Sequence, residues 1–435
     1  MRTKGKDKVN IITLGCSKNL VDSEVLLHQL QSGGIESSHQ AEDDDANVII
    51  VNTCGFIDRA KEESIQTILQ YAQAREQGAI DKLYVTGCLS QRYKDELSLE
   101  IPEVDAWFGT LDLPDLLRRF EVNYRHELLG ERQPTTPKHY AYLKISEGCN
   151  RTCSFCAIPL MRGNHVSRPI EALVAEAQSL VRQGIKEVML IAQELTYYGL
   201  DLYKRRALSE LLRALSDVEG LHWIRLHYAY PSKFPLDVLA VIAERPNICN
   251  YLDMPLQHAS DRVLQAMKRQ ITRQETEALI ADARRIVPGI ALRTTMLVGF
   301  PGETEEDFQE LMDFAAAQRF DRLGVFTYSH EEGTSGYELV DDVPQEVKEE
   351  RAQRLMELQE EISESLNQNR VGQMETVLVD RIEGDWFVAR SERDSPEVDN
   401  EVLISAKDHF LRIGDFVSVR IDRSEAFDLY ATPVV

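Results

Sequence analysis

Three short apolar runs, VNIITLGC, NVIIVNTCG and KLYVTGC, open the chain, and each gives way to a segment of helical spacing. The first two of these segments are LVDSEVLLHQLQSGG and DRAKEESIQTILQYAQAREQG; the third is less regular. Short continuous apolar strands alternating with helices predict a parallel sheet covered on both faces. In such a sheet the carboxyl ends of the strands form the ligand crevice. The stretch ERQPTTPKHYAYLKIS reads as a linker, because its prolines break helix and strand and its polar run has no period. Beyond it YLKIS, EVMLIA, WIRLHY, YLDMPL, ALRTTMLVGF and RLGVFTYS are six strand candidates separated by helical segments. Six such units predict a partial or complete (βα) barrel, with its active site at the carboxyl ends of the strands. PGETEEDFQELMDFAAAQ is a helix with Thr304 as N-cap and acidic residues in its first turn. A long helix follows, with Leu355, Leu358, Ile362 and Leu366 on one face. After Gly372 the period changes to strand alternation in METVLVDRIEG, WFVARSE, EVLIS and FVSVRID, which predicts a small β-barrel. The fold class is therefore α/β with a terminal β-barrel, in three domains: 8–125, 138–370 and 371–435.

A length of 435 residues with 43% apolar content is enough for two or three cores. The first ten residues hold no apolar leader, and nowhere do eighteen apolar residues run together, so the expectation is a cytoplasmic protein with no membrane association. In a reducing compartment the seven cysteines, at 16, 54, 88, 149, 153, 156 and 249, suit metal ligation or catalysis better than disulfides. The net charge of −23 repels polyanions and attracts basic partners.

GCNRTCSFC places Cys149, Cys153 and Cys156 in a CxxxCxxC pattern after the first barrel strand. Zinc sites often use cysteines two to four residues apart, but a structural zinc needs four protein ligands and the segment offers three. Cys249 or a histidine could supply the fourth, and an iron–sulfur cluster is the rival reading. A non-catalytic zinc or iron–sulfur scaffold stays open at this point. Cys16, Cys54 and Cys88, in GCSKN, NTCGF and TGCLS, each end a strand of the first sheet, so three thiols distant in sequence should meet in one crevice. Any one of them could be an ordinary buried thiol, since free cysteine packs as a small hydrophobe. Three at equivalent strand ends favour a second cluster.

CxxxCxxC with Phe155 before its last cysteine resembles the radical S-adenosylmethionine enzymes. That resemblance implies a [4Fe-4S] cluster whose fourth iron is chelated by S-adenosylmethionine, the source of a deoxyadenosyl radical that removes hydrogen from an unactivated carbon. It also implies cofactor contacts at Phe155, at Gln193 and Glu194 after the second barrel strand, and at Arg293 on the fifth. Arg293 could equally form a barrel-mouth ion pair. The two glycines of VGFPGET could admit a ligand to the backbone or simply turn the strand into a helix.

Taken over essentially all 435 residues, the chain resembles the methylthiotransferases: an N-terminal domain with a three-cysteine auxiliary cluster, a radical S-adenosylmethionine barrel and a C-terminal TRAM-type barrel. The resemblance implies two [4Fe-4S] clusters, one S-adenosylmethionine used as methyl donor and another as radical source, and a reductant protein such as flavodoxin or ferredoxin. Two branches compete. One modifies isopentenyladenosine in transfer RNA, the other an aspartate β-carbon of the twelfth small-subunit ribosomal protein. A transfer-RNA enzyme should offer phosphates a basic surface, whereas residues 371–435 carry seven Lys and Arg against fourteen Asp and Glu. GCSKNLVDSE, AQELTYYGLDLY, LHYAYP, MPLQHAS and YSHEEGT resemble the ribosomal-protein branch. The transfer-RNA branch usually has Gln-Met-Asn after the first cysteine. Nucleic acid is therefore not the expected substrate. Ser335-Gly336 departs from the Pro-Ala more often found in the ribosomal-protein branch, and His227, Tyr228 and Tyr230 at a barrel strand end are candidates for the substrate pocket.

Overall fold

The computed structural model describes residues 7–41 and 45–434. Residues 1–6, which belong to the stretch read above for a leader, and Val435, at the end of the third predicted domain, lie outside the described residues. The first domain holds five parallel strands, β1 (Lys8–Thr13), β2 (Glu36–His39), β3 (Val48–Thr53), β4 (Lys82–Gly87) and β5 (Ala106–Trp107), in the order β2-β1-β3-β4-β5. Three of them are the apolar runs of the sequence. β2 is ESSH and β5 has two residues, so neither carries an apolar pattern. Every residue of β3 is buried, because helices cover both faces of the sheet. Leu26 and Leu30 of α1 (Ser17–Ser32) pack on Val9, Ile11 and Ile50. On the other face Ile68 of α2 (Asp58–Glu76) and Leu89 of α3 (Cys88–Glu100) meet Ile49, Val51 and Val85.

The segment read as a linker is fixed in place. Arg132 is 1% exposed, and its Nε donates to Glu176 of the second domain at 2.9 Å while its Nη1 pairs with Glu24 of α1. Composition marks such a segment as polar; the carboxylates that bury it come from elsewhere in the chain.

In the second domain β6 (Tyr140–Lys144) leads into a short pair, β7 (Ser146–Glu147) and β8 (Val166–Ser167), whose connection carries the CxxxCxxC segment. β9 (Glu187–Ile191), β10 (Trp223–Leu226), β11 (Ile248–Asp253), β12 (Ala291–Val298) and β13 (Arg322–Thr327) complete an all-parallel sheet ordered β13-β12-β11-β10-β9-β6. This is the partial barrel. Alternate positions such as Ala141, Leu143, Ile224 and Leu226 join the main apolar core under the outer helices. The residues between them, Tyr140, Tyr142 and Arg225, face the interior. Thr304 caps the helix Glu305–Gln318 with a full capping box, its Oγ1 accepting from the Asp307 amide while Asp307 accepts from the Thr304 amide. Gly299 and Gly302 form the strand-to-helix turn before it, with Gly299 against the Lys348 side chain of the long helix Gln345–Gln368. On that helix Leu355 and Ile362 are buried.

The third domain is a closed barrel ordered β14-β15-β16-β18-β17, built from β14 (Met374–Glu383), β15 (Trp386–Ser391), β16 (Glu401–Ser405), β17 (Phe416–Ser424) and β18 (Asp428–Pro433). The sequence pattern shows four of these strands. β18 is a short run broken by Pro433, yet it pairs parallel to β16 and antiparallel to β17 and closes the barrel.

The connection between β15 and β16 does not stay at the surface. It enters the α/β barrel from the amino ends of its strands and ties polar groups to polar groups. Arg225 Nη1 donates to the Glu392 carbonyl at 2.6 Å, Tyr251 Oη to Asp399 at 2.7 Å, and Tyr140 and Tyr142 hydroxyls to Glu397 at 3.2 and 3.3 Å. Asp394, with no exposed surface, pairs with Arg322 and lies 3.7 Å from Arg370. Buried charges are tolerated only when paired in this way. The third domain thereby plugs the second.

Candidate active site

Cys16 precedes the first turn of α1, Cys54 directly follows β3, and Cys88 is the first residue of α3 after β4. Parallel pairing of β1 with β3 and of β3 with β4 sets these strand ends side by side. Cys16 is exposed; Cys54 and Cys88 are buried. Gly15 has φ +88°, and a Cβ added there would stand 2.6 Å from Cβ of Cys54 and 2.8 Å from its Sγ, so the turn into α1 closes on Cys54 only with glycine. Ser64 Oγ accepts from the Cys54 amide at 3.0 Å and donates to its carbonyl at 2.9 Å, which fixes the Cys54 backbone. Burial pushes the Cys88 thiol up to about 12, opposed by the nearby Arg162 guanidinium.

The second trio sits on the connection between β7 and β8, and Ser154 anchors it. The Ser154 amide donates to the Met267 carbonyl at 3.0 Å, its Oγ to the Ala266 carbonyl at 2.9 Å, and its carbonyl accepts from the Gly336 amide at 2.6 Å. A Cβ at position 336 would lie 2.7 Å from that carbonyl oxygen. The departure at Ser335-Gly336 thus lets this turn press directly on the cysteine segment. The Arg151 amide lies 3.4 Å from Cys149 Sγ, and Arg269 Nη1 lies 3.4 Å from Cys153 Sγ. Burial raises the Cys149 thiol to about 11 and the Cys156 thiol to about 12.

Cys88 packs in one small apolar cluster with Ala157, Ile158 and Met161, the residues that follow Cys156. Arg162, at the end of that same helix, reaches α1: its Nη1 donates to Asp22 at 2.5 Å and its Nη2 to Asn19. One cysteine of the first trio thus packs against the helix that follows the second, at the junction of the first and second domains. Cys249 belongs to neither; it is fully buried in β11 beside Trp223, Tyr251 and Leu378.

Phe155 is half-buried against Val263, Met267, Phe300 and Tyr328. Gln193 Nε2 donates to Glu147 at 2.9 Å, and Glu194 accepts from the Thr196 amide at 2.6 Å and from Arg151 at 3.1 Å. Both are thus tied to the edges of the CxxxCxxC segment. Arg293 is held by two carboxylates, Asp253 at 3.0 Å and Asp399 of the plug at 3.2 Å. His227 Nε2 lies 3.0 Å from Ser395 Oγ, and burial, reinforced by surrounding cations, drives the imidazole well below its usual pKa. Tyr230 Oη donates to the Arg269 carbonyl at 2.7 Å and lies 3.8 Å from Cys153 Sγ. Tyr228 takes φ +65° and lies under the Lys18 ammonium, 3.1 Å from the ring centroid.

Sequence reasoning did not single out Lys18, Arg151, Arg162 or Arg269. The available signal was position alone: Lys18 is two residues after Cys16, and Arg151 lies between Cys149 and Cys153. Among the described residues no group of three or more His, Cys, Asp or Glu side chains meets at a point one metal ion could occupy. The donor set still suits an iron–sulfur cluster at each trio, with three thiols, at least one of them buried, and a cation nearby to offset thiolate charge. Arg162 stands near Cys88 and Arg269 near Cys153.

Three family models match in succession. Residues 8–109 match Uncharacterized protein family UPF0004, residues 143–315 the Radical SAM superfamily and residues 371–434 the TRAM domain. The chain is 61% identical to the ribosomal protein uS12 methylthiotransferase RimO of Cytophaga hutchinsonii over 99% of both chains. It is 58% identical to the protein of that name from Flavobacterium johnsoniae over 100% of both, and 52% to that of Bacteroides thetaiotaomicron over 98% of both. Among solved structures, the radical S-adenosylmethionine methyltransferase TsrM from Kitasatospora setae superposes with a TM-score of 0.53 at 16% identity, over 74% of this chain and 75% of its own. That likeness concerns the fold.

Proposed function

The chain belongs to the radical S-adenosylmethionine methylthiotransferases of the ribosomal protein uS12 type, RimO, and from that membership we propose that it attaches a methylthio group to the β-carbon of an aspartate in uS12. The reading assigns Cys149, Cys153 and Cys156 to a [4Fe-4S] cluster that holds S-adenosylmethionine, and Cys16, Cys54 and Cys88 to an auxiliary [4Fe-4S] cluster. When bound, these groups supply the electron, the hydrogen-abstracting radical and the sulfur that no side chain provides.

The observation that carries the proposal is the contact of Cys88 with Ala157 and Met161. A reaction that removes hydrogen at one centre and adds sulfur from another needs the two within reach of one carbon, and a contact between Cys88 and the helix after Cys156 supports that reading. The chain's own residues then have distinct tasks. Gln193 and Glu194 fix Glu147 and Arg151 at the edges of the cysteine segment and are assigned, with Phe155, to the cofactor side. His227, neutral and bonded to the plug, and Tyr230, beside Cys153, line the substrate side. Arg293, with two carboxylates already engaged, is assigned to keeping the plug in register with β12. An acidic third domain suits a basic ribosomal protein and repels transfer RNA. A reductant protein of the flavodoxin or ferredoxin class would deliver the electron.

Mass spectrometry of uS12 and of transfer RNA from cells lacking the gene tests the reading. The expected result is loss of the added mass from uS12 with transfer RNA unchanged; the reverse pattern refutes it. Anaerobic reconstitution should give about eight irons per chain, and about four would remove the auxiliary cluster. Cys153→Ala should bring deoxyadenosine formation to background, whereas Cys54→Ala should stop sulfur insertion while deoxyadenosine still forms.

A further inference from the structure

Lys18 is a cation with a largely buried side chain and, among the described residues, no counter-ion. It is 8% exposed, and among the described residues no carboxylate pairs with it and no carbonyl or hydroxyl accepts from its ammonium; the ammonium lies over the Tyr228 ring, 3.1 Å from its centroid, with His227 within reach of its charge. The other buried cations of the site are all engaged. Lys144 and Arg162 share Asp22 and Glu147, Arg151 meets Glu194, and Arg269 donates to the Pro255 carbonyl and faces Cys153 Sγ. The stem of Lys18 is buried while its ammonium keeps a path to solvent, so an anion can reach it, and the aromatic face under it supplies only part of the attraction a carboxylate would.

The platform under it is itself strained. Tyr228 holds φ +65°, uncommon for an aromatic residue, fixed by its amide donating to Asp253 Oδ2 at 3.1 Å. A residue held in such a conformation beside an unpaired charge marks a position kept for a ligand. Its location is specific. Lys18 stands two residues from Cys16 of one trio, and Tyr230, two residues beyond Tyr228, lies 3.8 Å from Cys153 of the other. The Lys18–Tyr228 contact thus joins the segment that carries Cys16 to the strand end whose Tyr230 faces Cys153.

We propose that Lys18 is the receptor for the side-chain carboxylate of the substrate aspartate, so that the negative charge fills the missing partner and sets the adjacent β-carbon between the two cysteine trios. This rests on the uS12 reading above. It also gives a physical meaning to the Ser-Lys-Asn that follows Cys16, where the transfer-RNA branch has Gln-Met-Asn: a neutral base needs no ammonium, whereas a carboxylate does.

The test uses the full chain with both clusters reconstituted anaerobically. Fluorescence anisotropy measures binding of a uS12 loop peptide carrying the target aspartate and of the same peptide with asparagine. Wild type should prefer the aspartate peptide by about 10- to 100-fold, the range for a charge-assisted hydrogen bond. Lys18→Met should bring the ratio close to one, and Lys18→Arg should restore part of it. Iron and sulfide content is measured on each variant; if Lys18→Met does not load its clusters, Lys18→Gln is read instead. An aspartate preference unchanged in the loaded variant overturns the proposal, and this is also the result expected if Lys18 served a sulfur anion at the auxiliary trio. Should wild type bind neither peptide, the uS12 reading fails first and this inference with it.

Discussion

A thiol shut away from water is a poor acid, and most of the cysteines here are of that kind. Burial raises Cys149 to about 11 and Cys88, Cys156 and Cys249 to about 12. In the metal-free protein these thiols stay protonated and unreactive near neutral pH, and a metal must displace the proton to bind. Timed alkylation with iodoacetamide at pH 8, followed by peptide mass mapping, should label exposed Cys16 first and Cys249 last. Labelling of Cys249 should accelerate about tenfold per pH unit, since only the thiolate reacts; equal rates at Cys16 and Cys249 would contradict the described burial. The six clustered cysteines were legible in the sequence for two reasons: one trio has short spacing, and the other recurs at strand ends. Lys18, Arg162 and Arg269 were not legible, because a single charged residue carries no period. Lys18 has no carboxylate partner among the described residues, and Arg162 is engaged with Asn19 and Asp22, more than a hundred positions away.

At the scale of the element, local signals fared well wherever they were strong. The helix after VGFPGET begins at the residue its N-cap indicates, because Thr304 and Asp307 satisfy each other's amides. Thr304→Ala should cost about 1 kcal/mol in urea unfolding, with Thr304→Ser close to wild type; no loss would mean that the first turn is held by tertiary packing instead. The elements that escaped were those whose stability is not local. β2 has no apolar residue and persists by pairing with β1, and β18 is fixed by neighbours on both sides. SERDSPEVDN, which becomes the plug, has the composition of an exposed turn. The Asp394 and Asp399 side chains are buried because Arg322 and Arg293 wait inside the barrel, while exposed Glu397 meets Tyr140 and Tyr142, a fact held in three distant strands.

The whole molecule is joined by these buried charges. Asp394 shows how they couple to pH. Burial alone would raise its carboxyl, but Arg322 and Arg370 outweigh burial and hold it at about 2. Its folded value thus lies below an unfolded value of about 4, so its contribution, about 2–3 kcal/mol, is present above pH 4 and is lost as pH falls through 2. Thermal unfolding followed from pH 7 to pH 2.5 should show this loss in wild type. Asp394→Asn should be less stable at pH 7, with Arg322 left buried and unpaired, and should lose less between those pH values. Parallel pH profiles would mean that other acids govern the acid transition.

The plug also imposes an order on biosynthesis. Chains emerge from the ribosome amino end first, so Glu187, Arg225, Arg293 and Arg322 are made and aligned in the barrel long before Arg390, Asp394 and Asp399 exist. Until the last segment arrives Arg322 lacks Asp394, while Arg225 and Arg293 have only their partners within the barrel, Glu187 and Asp253. The final strands, distant in sequence from every cysteine, therefore complete the interior of the barrel, and a nonsense codon near the end of the gene would damage the barrel rather than trim an appendage.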